Sequence, residues 1–178
     1  MKVLDTLFNA KASVLDAQTD PAYAAPLSRG DFGTAAPLLL AAVTKGDAHA
    51  MGIYAAMRAL GRGVEKNSQE AYCWFLQGAT RGDMNSQIAL GMCLAVGMGT
   101  TVDRKEAAYW LYRAAKAGSL QAIAILEDLA YMDHSIVGPH FTEDELIDLI
   151  YHHCKNKTLC RIAAHTSIRR GGLHGRSI

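Results

Sequence analysis

Residues 46–81, GDAHAMGIYAAMRALGRGVEKNSQEAYCWFLQGATR, lie over residues 82–117, GDMNSQIALGMCLAVGMGTTVDRKEAAYWLYRAAKA, without a gap. Nine positions are identical: Gly46/Gly82, Asp47/Asp83, Ala59/Ala95, Gly61/Gly97, Gly63/Gly99, Glu70/Glu106, Ala71/Ala107, Trp74/Trp110 and Ala79/Ala115. The frame runs on in both directions. Gly118 continues the Gly46/Gly82 series, Ala122 matches Ala50, and Leu126 matches Leu90. Upstream, Ala35, Leu38 and Leu40 meet Ala71, Trp74 and Leu76. A fixed period of this length marks a repeat architecture, in which each unit buries its apolar face against its neighbours.

Each unit reads as two helices. The first, from Asp47 to about Leu60, carries Ala50, Tyr54, Ala55 and Met57 at helical spacing and stops at Gly61-Arg62-Gly63, where glycine accepts the left-handed C-cap conformation. The second begins at Asn67, a capping residue type with Glu70 three positions on, and Asp103 with Glu106 repeats the arrangement. It ends at Gly82 and again at Gly118. In the upstream half-unit Thr34 is the expected cap, with Pro37 in the first turn, where a missing N–H is tolerated. Trp74 and Trp110 occupy equivalent positions, as packing residues between layers do.

The pattern Ala50-x-x-x-Tyr54-Ala55, Gly61-Arg62-Gly63-Val64, Glu70-Ala71-x-x-Trp74 and Ala79-x-x-Gly82-Asp83 resembles the Sel-one-like repeat, a relative of the tetratricopeptide repeat. The second copy runs from Leu90-Gly91 through Gly97-x-Gly99 and Ala107-x-x-Trp110 to Ala114-Ala115-x-x-Gly118. Arg58 and Leu94 stand where that family often has tyrosine, and Ala55 replaces a glycine. The resemblance implies an all-α fold, a right-handed solenoid of stacked antiparallel helix pairs. It also implies roles as adaptors, assembly factors, regulators or, in bacteria, immunity proteins that block a secreted toxin.

The expected organisation is an N-terminal helix (Lys2 to Leu15) and a loop (Pro21 to Gly30) over 1–30, then repeats over 31–133: a half unit, two full units and a partial third. A linker and a C-terminal capping helix follow over 134–160. That helix starts at the capping box Thr142-Glu143-Asp144-Glu145 and runs to about Asn156. A basic tail over 161–178 ends the chain. After Asp148 no acidic residue remains, while Lys155, Lys157, Arg161, Arg169, Arg170 and Arg176 are all positive.

Composition excludes several function classes. The 178 residues are 50% hydrophobic and 20% charged, with a net charge of +1, which gives no global steering toward nucleic acid or an anionic membrane. The segment Met1 to Ala10 lacks a signal-peptide pattern and no apolar run is long enough to span a bilayer, so a cytoplasmic location is the expectation. Cys73, Cys93, Cys154 and Cys160 form no Cys-x-x-Cys pair, so reduced, buried thiols are expected. His152, His153, Cys154, Cys160 and His165 are the one metal-like group, with irregular spacing for zinc. The Gly-x-Gly turns lack the strand and third glycine of a nucleotide fingerprint and read as helix terminators. No catalytic motif appears, and neither cofactor nor metal is expected.

What remains is a binding surface. Stacked helix pairs present a concave groove lined by their first helices. On the face opposite Ala50, Tyr54 and Ala55, these helices carry His49, Ile53 and Ala56, then Asn85, Ala89 and Met92, then Gln121, Ile125 and Asp128. The expected function is non-enzymatic protein–protein interaction in this groove, as adaptor or inhibitor. The alternatives are a nucleic-acid or anionic-surface binder using the basic tail, and a zinc-binding protein using the His/Cys group.

Overall fold

The computed structural model describes residues 21–133, 136 and 141–153. The chain divides into two compact units, Met1–Val102 and Asp103–Ile178. The first contains α1 (Ala24–Ser28), α2 (Phe32–Thr44), α3 (Ala48–Leu60), α4 (Ser68–Thr80) and α5 (Met84–Val96). The second contains α6 (Arg104–Lys116), α7 (Leu120–Met132) and α8 (Glu143–His153). The expected helix over Lys2 to Leu15 and the tail from Arg161 lie outside the described residues.

The period of 36 residues is realised as a repeated junction. Gly46, Gly82 and Gly118 all take positive φ, which costs a β-carbon-bearing residue energy that glycine avoids. After α4, the Gly82 N–H donates to the Ala79 carbonyl and the Asp83 N–H to the Gly78 carbonyl, both at 3.0 Å. This double bond pattern is the Schellman motif. It recurs after α2 through Gly46 and Asp47, and after α6 through Gly118 and Ser119. The residue that closes one helix then opens the next. Asp47 Oδ1 accepts the His49 and Ala50 amides, Asp83 Oδ2 accepts the Ser86 amide, and Ser119 Oγ accepts the Ala122 amide.

The Gly-x-Gly turns do more than terminate helices. Gly61 and Gly97 are the left-handed C-caps, as the sequence suggested. Gly63 and Gly99 have a second duty. A β-carbon on Gly63 would stand 2.5 Å from the backbone carbonyl of Phe32, the first residue of α2. One on Gly99 would overlap the backbone carbonyl of Ser68, the first residue of α4. The turn of one repeat thus seats on the start of the preceding second helix, and only hydrogen fits in the gap.

Several local expectations are corrected. The stretch from Pro21 to Gly30 is not all loop, because α1 forms within it and the buried Tyr23 and Pro26 anchor it. The N-cap of α2 is Asp31, which accepts the Thr34 amide at 3.1 Å, and not Thr34 itself. Pro37 consequently lies inside the helix and not in its first turn. The helix continues past it because Ala35, Leu39 and Val43 are buried along one face. Glu70 does not reach back to its cap, since the Asn67 N–H donates to the Arg58 carbonyl at 2.8 Å. Its carboxylate instead accepts from the Trp74 indole at 3.3 Å and from the Arg58 guanidinium. Glu106 accepts the Trp110 indole at 2.8 Å in the same way. Thr142 and Glu145 do form the reciprocal capping box at the start of α8. Among the cysteines, Cys93 is buried and its thiol is pushed up to about 12 by desolvation, whereas Cys73 is exposed.

The first unit's core gathers Tyr23, Leu39, Val43, Met51, Tyr54 and Met57, with Trp74 packed edge-on against Tyr54 at 6.0 Å. Ser86 of α5 is fully buried against Gly52 of α3 and Gly78 of α4, where a β-carbon on either glycine would collide with its hydroxyl. At this point three helices approach closely over two glycines and a serine. In the second unit, Tyr112 stacks on Phe141 at 4.6 Å and Leu146 of α8 is buried.

Two substitution pairs test this packing. Gly82→Ala meets open space and should cost about 1–2 kcal/mol for the left-handed conformation alone, whereas Gly99→Ala adds a backbone collision and should cost clearly more. Urea unfolding of both variants gives the comparison. Trp110 is 5% exposed, so Trp110→Ala should lose about 3–5 kcal/mol, and the half-buried Trp74 should lose less. Equal midpoint shifts for the two tryptophans would contradict the assigned burial.

Candidate protein-binding face

In the first unit α3 and α5 are neighbours, and their N-terminal turns are joined by side chains. His49 Nδ1 lies 3.2 Å from Asp83 Oδ1, while the other carboxylate oxygen accepts both the amide and the hydroxyl of Ser86, the latter at 2.6 Å. Burial pushes the Asp83 carboxyl up, but the hydrogen bonds from His49 and Ser86 outweigh it and hold the group below the usual carboxylate range. Asp47, the equivalent residue one repeat earlier, accepts the Tyr23 hydroxyl at 3.1 Å. Burial, followed by the charge of Asp47, raises that phenol far above its ordinary value.

The sequence-derived contact residues divide by burial. His49 and Ile53 of α3 and Asn85 and Met92 of α5 are half-buried, so part of each side chain faces outward. Ile53 also packs against the core of the first unit. Ala56 and Ala89 correct the expected surface, because at 3% and 0% exposure their methyl groups are taken up by packing and offer no contact area. Gln121 and Ile125 are half-buried and Asp128 is exposed on α7 of the second unit. Asp83 was missed as a neighbour of this face. Its identity with Asp47 marked it only as a position of the repeat, and nothing in the sequence showed that His49 of the preceding repeat would reach it.

Residues 48–83 and 85–119 match the family model of the Sel1 repeat. These two segments are Sel1 repeats. The solved structure of a Sel1 repeat protein from Oxalobacter formigenes is similar, with a TM-score of 0.61 and 22% identity over 71% of this chain and 49% of that one. A protective antigen of uropathogenic Escherichia coli strains, which displays an SLR fold, has a TM-score of 0.56 and 18% identity over 98% of this chain and 34% of that one. The chain thus spans about half of the first structure's length and a third of the second's. No curated protein matches the sequence. The all-α repeat fold read from the sequence is that of these Sel1 structures. Sel1 repeat proteins generally mediate protein–protein interaction and are typically non-catalytic scaffolds.

Among the described residues, no group of three His, Cys, Asp or Glu side chains converges as a metal site. Cys154, Cys160 and His165 lie outside the described residues. No described helix is long and apolar enough to cross a membrane.

The lowered pKa of Asp83 carries a pH dependence. In the unfolded chain this carboxylate takes up its proton nearer pH 4, so just below that pH the unfolded state binds more protons than the folded one. Stability contributed by Asp83 is present above that value and is lost as pH falls through the folded-state pKa. Asp83→Asn should remove this part of the acid dependence. Asp83→Ala should also cost about 1–3 kcal/mol at pH 7, because the helix cap is lost and the buried Ser86 hydroxyl is orphaned. Urea titrations between pH 3 and 7 on both variants check the two effects separately.

Proposed function

We propose that the chain is a non-enzymatic protein-binding module, acting as an adaptor or an inhibitor, and that the outward face of α3 and α5 is part of its contact surface. The observation that carries the reading is the pairing of half-exposed apolar side chains, Ile53 and Met92, with the polar His49 and Asn85 on successive first helices. Apolar anchors dominate the energy of an interface, while neighbouring polar groups set orientation and specificity. Gln121, Ile125 and Asp128 hold the same positions of the repeat on α7 of the second unit and are proposed as its own contact residues. Whether the partner is assembled or blocked, as an immunity protein would block a secreted toxin, is decided by that partner's activity in the complex.

Met92 is the cleaner probe, because Ile53 also supports the core. Met92→Asp should weaken association with a partner co-purified from the native cell by roughly tenfold or more, while the helical spectrum and melting temperature change little. Ile53→Ala should reduce both binding and stability. A folded Met92→Asp variant that retains its partner at wild-type affinity would exclude this face.

A further inference from the structure

The second helices of the two repeats share a backbone plan but not a surface. Along the outer side of α6, Lys105, Tyr109, Arg113 and Lys116 recur at helical spacing. Lys105 and Lys116 are exposed, and Tyr109 and Arg113 are half-buried. The Arg113 guanidinium lies 5.0 Å from the Trp110 ring centre and 5.8 Å from that of Tyr109. The Lys116 ammonium lies 5.4 Å from the Tyr112 ring. Among the described residues, no carboxylate forms an ion pair with Lys105, Arg113 or Lys116, although Arg104 on the same helix pairs with Asp133 at 3.7 Å.

One repeat earlier the same four positions of α4 are Gln69, Cys73, Gln77 and Thr80. That helix forms with the same length, a side-chain cap at the same position (Asn67 for Asp103) and the same glycine terminator, and with no charge on this face. The fold therefore does not require the cations of α6. We propose that the Lys105–Tyr109–Arg113–Lys116 face is a second docking surface, one that binds an acidic peptide segment of a partner protein.

Two features favour a peptide over other polyanions. The Trp110 and Tyr112 rings are buried beneath their own cations, 5% and 7% exposed, and offer no open face for a base to stack on. Three cations neutralise too few phosphates to hold a nucleic-acid backbone at physiological salt. The strip runs ~16 Å along the helix, which matches about five residues of extended chain. The aromatic rings also hold Arg113 and Lys116 in place before binding, so less side-chain freedom is lost on contact.

The test uses the full chain and fluorescence anisotropy with a labelled ten-residue Asp/Glu peptide, its Asn/Gln counterpart and an oligothymidylate of equal charge. The acidic peptide should bind at least tenfold tighter than the amide version and weaken as salt rises. Combining Lys105→Gln, Arg113→Gln and Lys116→Gln should weaken it about tenfold. Lys105→Glu with Lys116→Glu, both at exposed positions, should do so without touching the packing of Arg113. Met92→Asp should leave this binding unchanged, which separates the surface from the α3–α5 face. Equal binding of the acidic and amide peptides, tighter binding of the oligothymidylate, insensitivity to the charge variants, or loss in Met92→Asp would each overturn the proposal.

Discussion

Where Gly82 meets Asp83, the chain ends one helix and begins the next within a single peptide unit. The glycine's positive φ turns the chain so that its own amide and that of Asp83 close the last turn of α4. The Asp83 carboxylate is then already in place to receive the free Ser86 amide of α5. The rest of the architecture hangs on this junction, because it leaves two helices no freedom in how far apart they start. Gly46-Asp47 and Gly118-Ser119 repeat it. Serine does in the third copy what aspartate does in the first two, since the junction needs an oxygen acceptor and not a charge.

Close approach is the second requirement. Ser86 lies where three helices meet, and the two glycines beside it have no side chain to yield. Its hydroxyl would be costly to bury alone, but Asp83 accepts from it, and His49 lies against the other oxygen of the same carboxylate. A polar group that lines the candidate binding face is thereby also a brace between successive repeats. Recognition and stability are coupled at that point, so a substitution at His49 or Asp83 alters both. Met92, which makes no such bridge among the described residues, is free of that coupling.

Arg58 shows how a departure from the repeat pattern is absorbed. It stands where Leu94 stands one repeat later, yet it is held by the Glu65 carbonyl at 2.9 Å and by the Glu70 carboxylate. Glu70 was already required for the Trp74 indole, as Glu106 is for Trp110. One carboxylate therefore serves a tryptophan in both repeats and takes on an arginine in the first. Differences of this kind, at positions that the fold leaves open, are where individual function is written. The uncharged α4 face and the cationic α6 face are another instance.

The period, the paired helices, the glycine terminators and the Asn67 and Asp103 caps were all legible in the sequence. They are local: each depends on residues within one turn of the chain, and repetition made each visible more than once. Thr34 competes as the cap of α2 because it is a capping residue type placed just before the apolar run, yet the period decides for Asp31, which stands in register with the caps Asn67 and Asp103. Tertiary packing decided the rest. Local sequence did not show that Gly63 and Gly99 seat on Phe32 and Ser68, that Arg58 of α3 reaches Glu70 of α4, or that Ala56 and Ala89 are consumed by packing. Those outcomes depend on which side chain arrives from another helix, and the helical period fixes the direction of a side chain without fixing what it meets.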